Sequence, residues 1–462
     1  MEYPGTHFTR PIRVALLITL IVLFLIIAPL LIMYTAGYRY DWKNGLLKET
    51  GAINIDLEPK TAVVYLNNVK LQDKIPVRLN NIIPAKYNVR VTSPDHFDWN
   101  KEIEVKNKQT NYVKEISLLK KNKPEILIAG DITNFAVSFD GQFIIYTTKK
   151  NNTTEIWLWD NNSKQTNNLI PLSGNTKPNI IWAEKNNYAI ITDSAIPYSQ
   201  IKIINASEPL KQIDLTKENA SINKLQWANT TEPQLYYSTK ENIFSYSPIT
   251  QTSQNITANK YTDWHMENGQ LWTMLINSST QDYLITKDTL GFSKIIKQIK
   301  NNEIKIVIDG DPKEPETKIG FATAQQNTAL LRTNISGRML LVNNNATLPM
   351  QVSKFLVSKY NNWWLMWSDW ELWSYNDNEN PYLLNRSGEH LTDTMPLDQY
   401  NTLALVWADK VTALFPYYSV SHDLINEKIS NPIADTDNKV LYFISNNKNQ
   451  DKNSNGIWKL SY

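Results

Sequence analysis

Val137-Ser138-Phe139-Asp140-Gly141-Gln142-Phe143-Ile144-Ile145-Tyr146 is followed, after a polar hairpin, by Glu155-Ile156-Trp157-Leu158-Trp159-Asp160. An Asp-Gly pair is suited to a tight turn, and here it leads directly into an apolar strand. A second apolar strand then ends in Asp160 and a loop. The same succession recurs with a period of roughly 40 residues, the length of a four-stranded propeller blade. The copies are Ile181-Trp182 with Ala189 to Ile204, Leu225 to Ala228 with Leu235 to Tyr246, and Asp263-Trp264 with Leu271 to Ile285. Later ones are Ala329 to Val342, Trp363 to Tyr375, Ala404 to Phe415, and Val440 to Leu460. These are eight units over residues 124–462. Propellers close with 4–8 blades, and closure can merge a first and a last partial unit. The expectation is a mainly β fold ending in a seven- or eight-bladed β-propeller.

The first unit resembles the PD40 repeat of TolB-like and WD40-like propellers. That repeat has a Ser-Pro-Asp-Gly turn, a strand ending in Tyr or Phe, then Ile-Trp and an Asp. Phe139 stands here in place of the Pro.

Residues 50–120 alternate as short strands separated by turns, the pattern of a small antiparallel sandwich. They resemble the PEGA domain. The matching stretches are Gly51-Ala52-Ile53, Pro59-Lys60-Thr61-Ala62, Val64-Tyr65-Leu66-Asn67, Ile75-Pro76, Pro84-Ala85-Lys86-Tyr87 and His96-Phe97-Asp98-Trp99. Asn68, Ala85 and His96 stand where that family usually has glycine, so those turns are expected to differ. Asn tolerates positive φ better than Ala or His. PEGA-like domains occur in bacterial and archaeal envelope proteins. The resemblance implies a spacer or adhesion module, with no catalytic residue.

Before this module, residues 14–34 read VALLITLIVLFLIIAPLLIMY without a charge. As a helix they cross ~30 Å of hydrocarbon. The run is longer than a secretory apolar region, and Thr35-Ala36-Gly37 makes a poor cleavage site. It reads as an uncleaved transmembrane signal anchor in the lipid bilayer, with residues 1–13 as a cytoplasmic tail and 35–49 as a juxtamembrane stalk. Lys and Arg on the two sides give no clear bias. The long β-rich chain that follows favours an extracytoplasmic C-terminus, because large domains translocate largely regardless of charge. Tyr34, Tyr38, Tyr40 and Trp42 would form an interfacial aromatic belt.

The 462 residues carry 47 Lys and Arg against 45 Asp and Glu, a net charge of +2. There is no basic stripe, which points away from nucleic acid. With no cysteine, disulfides, thiolate metal sites and Cys nucleophiles are excluded. The five His have no metal-ligand spacing, and no Walker A, Gly-x-Ser-x-Gly or dinucleotide motif is present. No cofactor is expected, calcium aside. Asp451, Asn453 and Asn455, followed by Gly456, have the spacing of a calcium loop, although Tyr462 stands where a closing Glu belongs. Trp363, Trp364, Trp367 and Trp370, with Trp373 beyond, are the most unusual local cluster. They read as blade packing or as binding residues that stack on sugars or anchor a partner. Trp363, Trp367 and Trp373 share one strand parity unless a turn at Ser368-Asp369 resets it.

The function expected from these features is a membrane-anchored extracytoplasmic scaffold, not an enzyme, whose propeller binds an envelope protein or glycan. An envelope hydrolase with a carboxylate pair from distant blades and a calcium-dependent adhesin are the alternatives.

Overall fold

In the computed structural model the described residues are 10–41, 45–72, 74–150, 153–169, 172, 178–217, 221–240, 242–257, 261–289, 292–300, 319–325, 328–333, 339–342, 347–350, 354–358, 363–376, 379–446 and 455–462. The chain divides into two compact units, one of residues 1–121 with 417–420 and one of the remainder.

The first unit begins with α1 (Arg10–Thr35), 26 residues with none buried. At 1.5 Å per residue it is about 39 Å long, enough to span a bilayer. Two strands follow, β1 (Tyr38–Asp41) and β2 (Leu46–Glu49), paired antiparallel. The stretch expected as a stalk is therefore a β-ribbon. It is tied to the strands after it by Lys108, whose Nζ lies 2.9 Å from Glu49 and 3.1 Å from the Tyr38 hydroxyl. Lys108 and Tyr38 hold the Glu49 carboxyl below its usual range. Arg39 lies 3.7 Å from the centre of the Tyr34 ring. Trp42 is outside the described residues.

The small β domain is two facing sheets. One orders β6 (Val77–Ile82), β3 (Gly51–Ile55) and β9 (Thr110–Val113). The other orders β5 (Val69–Lys70), β4 (Val63–Leu66), β7 (Lys86–Thr92) and β8 (Trp99–Glu104). Alternation decides which side chains turn inward: Ile53, Ile55, Val77, Val89, Val91 and Trp99 are almost completely buried. One pairing departs from an all-antiparallel sandwich, since β3 and β9 run parallel. Of the three glycine replacements, only Asn68 takes a positive φ, +65° after +48° at Asn67. At the third turn the positive φ has moved to Asp95, one residue before His96. An acidic residue tolerates that conformation better than most, so the turn forms without glycine.

The second unit contains, among the described residues, eight four-stranded sheets. Blades 1 to 7 span 132–169, 179–214, 224–257, 263–299, 319–350, 354–386 and 391–425, each a run of four successive antiparallel strands. Blade 8 is different. Its strands Ile429–Asp435, Val440–Asn446 and Asn455–Ser461 are completed by Glu125–Ala129, from the start of the unit. The ring is thus closed by pairing across more than 300 residues. Among the described residues the count is eight, with the N-terminal strand joining the last blade rather than merging two blades into one.

Neighbouring sheets approach through their first strands, as in blades 1 and 2, 4 and 5, 7 and 8, and 8 and 1. The first strands therefore form the innermost wall. Apolar clusters lie between sheets. One joins Phe143, Ile145 and Leu158 of blade 1 to Ala189, Ile191 and Ile204 of blade 2. Others join blades 2 to 3, 3 to 4, 4 to 5, 5 to 6, 6 to 7 and 8 to 1. This explains the unbroken apolar runs of the sequence. A second strand such as Leu403–Trp407 has a neighbour on both faces, so every side chain is buried. The fourth strand of blade 1, Gln165–Leu169, is the blade's outer edge and mostly polar and exposed.

Candidate functional site

The Asp-Gly turn of blade 1 is built from its own side chains. Ser138 Oγ donates to Asp140 Oδ1 at 2.6 Å, and the same oxygen accepts the Gln142 N–H at 3.0 Å. Gly141 has φ +71°, and a Cβ there would run into the Asp435 carboxylate of blade 8. Asn438 of blade 8 donates to the Asp140 carbonyl at 3.0 Å, and Asn187 of blade 2 donates to Asp140 Oδ2 at 3.3 Å. The turn that marks the repeat in the sequence is thus also a joint between three blades.

The innermost wall carries a second set of joints. Lys224 Nζ, on the first strand of blade 3, bonds Asp263 Oδ1 of blade 4 at 2.8 Å and also the Trp264 carbonyl. Gln226 Nε2 donates to the Met266 carbonyl at 2.6 Å and its Oε1 accepts the Met266 N–H at 3.0 Å, so the side chain pairs as a strand residue would. Asp263 Oδ2 accepts the Phe321 N–H of blade 5. Lys354 of blade 6 reaches the Thr392 carbonyl of blade 7, and Asn431 of blade 8 the Phe135 carbonyl of blade 1. Sequence reasoning missed these residues. Their signal is a polar side chain on a first strand whose partner lies 38 to 58 residues away, except for Asn431, whose partner lies across the closure of the ring.

At the ends of two first strands stand Glu184, just past blade 2's, and Glu267, closing blade 4's. Glu184 reaches solvent, yet enough protein surrounds its carboxyl that burial pushes its pKa up, and the Glu267 charge raises it further against the opposing Lys185. Glu267 Oε2 lies 3.8 Å from His265 Nε2. Among the described residues no group of three His, Asp or Glu side chains is placed to hold a metal ion.

The tryptophan cluster falls in blade 6 and separates into two roles. Trp364 is completely buried against blade 5, edge-on to Tyr375 with ring centres 6.0 Å apart. Trp363 and Trp367 are buried against blade 7. The turn at Ser368-Asp369 does reset the parity, because Trp373 packs toward blade 5 instead. Trp370 alone of the four candidates reaches solvent, at 50 % exposure, and is the one exposed tryptophan among the described residues. It sits on a braced hairpin tip. Ser368 Oγ accepts the N–H groups of Trp370 and Glu371, Ser387 N donates to the Trp370 carbonyl at 3.0 Å, and Leu391 N to the Asp369 carbonyl at 2.8 Å. His390 stands edge-on to the indole with centres 6.0 Å apart, and its Nε2 is 3.3 Å from Asp369 Oδ2. Beside it Glu371 accepts the Trp373 indole N–H at 3.0 Å and pairs with Arg386 at 2.6 Å; these two contacts, in that order, hold its carboxyl below the usual range.

Of the calcium-loop candidates, Asp451 and Asn453 lie outside the described residues. Asn455 is on the third strand of blade 8, and its amide donates to Asp131 at 3.4 Å.

Residues 50–120 match the PEGA domain family. No curated protein matches the chain. Among solved structures, a eukaryotic initiation factor is similar at 10% identity and TM-score 0.46, over 71% of this chain and 85% of that one. The Dos1 propeller is similar at 10% and 0.45, over 74% and 94%. Dipeptidyl peptidase 4 of Porphyromonas gingivalis is similar at 9% and 0.44, over 68% of this chain and 56% of that one. The chain carries an N-terminal apolar helix, a PEGA domain over residues 50–120 and, in its four-stranded sheets closed by the N-terminal strand, a β-propeller.

Proposed function

We propose that this protein is a single-pass membrane protein whose propeller, placed outside the cytoplasm, binds an envelope protein or glycan. The observation that carries the reading is Trp370, an indole held in solvent on a tip with little freedom to move. Leaving about half of a large apolar ring in water forgoes stabilisation of about 1 kcal/mol. A rigid aromatic anchor regains that on contact with a partner and loses little conformational entropy. The unburied α1 supports anchoring, and the PEGA domain supports an envelope setting.

The absence of native cysteine makes the topology directly testable. Single-cysteine variants Glu379→Cys and Thr6→Cys are treated in intact cells with a membrane-impermeant maleimide. Residue 379 is expected to label at once and residue 6 only after lysis; the reverse pattern would remove the envelope reading. For binding, crosslinked partners of the full chain are compared with those of Trp370→Ala and of a chain ending at Lys123. Partners lost in both variants place the contact at the tip.

A second reading, an envelope hydrolase, has one observation in its favour. A general acid needs its carboxyl raised above the usual carboxylate range, and burial and a neighbouring carboxylate both act in that direction. Glu184 beside Glu267 fits that description. If the chain hydrolyses peptides or polysaccharides, Glu184→Gln is expected to lower turnover about 100-fold or more. Turnover unchanged in that variant would remove Glu184 from the role.

A further inference from the structure

Three connections meet at one end of the seam between blades 6 and 7. Residues 368–370 join the second and third strands of blade 6, residues 387–390 lead from blade 6 into blade 7, and residues 408–410 join the second and third strands of blade 7. In a run of four antiparallel strands, the turn after the second strand and the exit to the next blade fall at the same end. Side-chain contacts tie the three into one patch. His390 is edge-on to Trp370 and 3.3 Å from Asp369 Oδ2, and Lys410 Nζ is 3.0 Å from Glu389 Oε2. The patch is open to water: the side chains of Asp369, His390 and Glu389 are 53%, 49% and 58% exposed. The bonds that brace the tip run through backbone groups and Ser368, and they leave the indole ring to a ligand.

A protein and a glycan make different demands on such a surface. A protein that takes an indole as its anchor surrounds it with contacts that keep water out, and Lys, Glu and Asp are depleted there. The neighbours tied into this patch are Asp369, Glu389, His390 and Lys410. A protein surface laid over them would strip water from two carboxylates and return few bonds to them. A sugar ring instead has a face of C–H groups that stacks on an indole, and a rim of hydroxyls that both donate and accept. An ionised carboxylate has about four acceptor sites, so Asp369 and Glu389 keep acceptor capacity beyond their contacts with His390 and Lys410. Hydroxyls can take the places of the waters they displace. We propose that this end of the seam between blades 6 and 7 is a glycan subsite, with Trp370 as the platform for one sugar ring and Asp369 and Glu389 as acceptors for its hydroxyls. The proposal rests on the reading of the propeller as a binding platform and narrows its partner to a polysaccharide.

The test incubates the full chain in detergent with envelopes from the cells that make it, either intact or digested with proteinase K, and measures the fraction that sediments. Oligosaccharides released from the digested envelopes by mild acid are the competitor. The wild type is expected to bind both preparations and to be displaced by the oligosaccharides. Trp370→Ala is expected to weaken binding about 10-fold or more, and Trp370→Tyr to restore most of it, since a phenol ring also offers a flat face. Tyr382→Ala, which removes an exposed aromatic from the fourth strand of the same blade, is expected to leave binding unchanged. Binding to intact envelopes that digestion abolishes overturns the glycan subsite and leaves the binding platform standing, with a protein as its partner. No binding to either preparation overturns both. Binding that survives digestion but is unaltered in Trp370→Ala, or is not displaced by the oligosaccharides, overturns the assignment of a glycan to this seam.

Discussion

Gly456→Val is expected to unlatch the propeller ring. Gly456 lies on the third strand of blade 8, opposite Ala129 of the closing strand. A Cβ added there meets the Ile128 carbonyl oxygen, with Ala129 Cα and the Ile128 carbonyl carbon at 3.1 Å. All three are backbone atoms, so no side chain can swing aside. The pairing must open or shift, and with it go the Gly130 N–H bond to the Asn455 carbonyl, the Lys459–Glu125 ion pair at 2.8 Å, and the burial of Ile128 against Ile457. Overpacking of this kind costs about 1–3 kcal/mol, and the closing strand contributes on top of it. A melting temperature lower by about 5 °C is expected, with faster protease cleavage between residues 121 and 131. Gly388→Ala is the control, since its added Cβ meets nothing within 4 Å. A Gly456→Val protein that melts within a degree of wild type would show that the ring does not depend on this closure.

The blades were legible because burial on both faces writes apolar runs into the second strands, and turn residues separate them. Ile144 to Tyr146 and Leu403 to Trp407 are readable without a structure for that reason. The closing strand was not legible as such. Glu125–Ala129 looks like any short strand, and its partner is distant in sequence. The parallel pairing of β3 with β9 was hidden likewise, because alternation fixes which side chains turn inward but not the neighbour. The polar joints of the inner wall were missed for a different reason. Lys224 and Asp263 read singly as surface charges, and only their placement on adjacent first strands makes them partners. The Trp cluster was legible as unusual but not as two populations, since one turn exchanges the faces.

Trp364→Ala should be far more damaging than Trp370→Ala, although the two residues are six positions apart. Trp364 has no exposed surface and fills the space between blades 5 and 6, among Leu330, Leu341, Met366 and Tyr375. Truncation removes the transfer energy of the indole and leaves a cavity that flanking strands, each bonded on both sides, cannot close. Such changes cost about 3–5 kcal/mol. For a marginally stable fold that is a large fraction of the total, and the expected result is a steep fall in melting temperature and in soluble yield. Trp370→Ala removes a ring that is already half in water and whose backbone bonds do not depend on the side chain. Its melting temperature should stay within about 1 °C of wild type, the usual range for surface substitutions. The contrast separates packing from recognition within one cluster. A large loss of stability in Trp370→Ala would mean that the tip is held by the indole itself, and the residue would then lose its standing as a free anchor. A harmless Trp364→Ala would mean that the contact between blades 5 and 6 is not the tight apolar joint that the burial of Leu330, Met339 and Met366 describes.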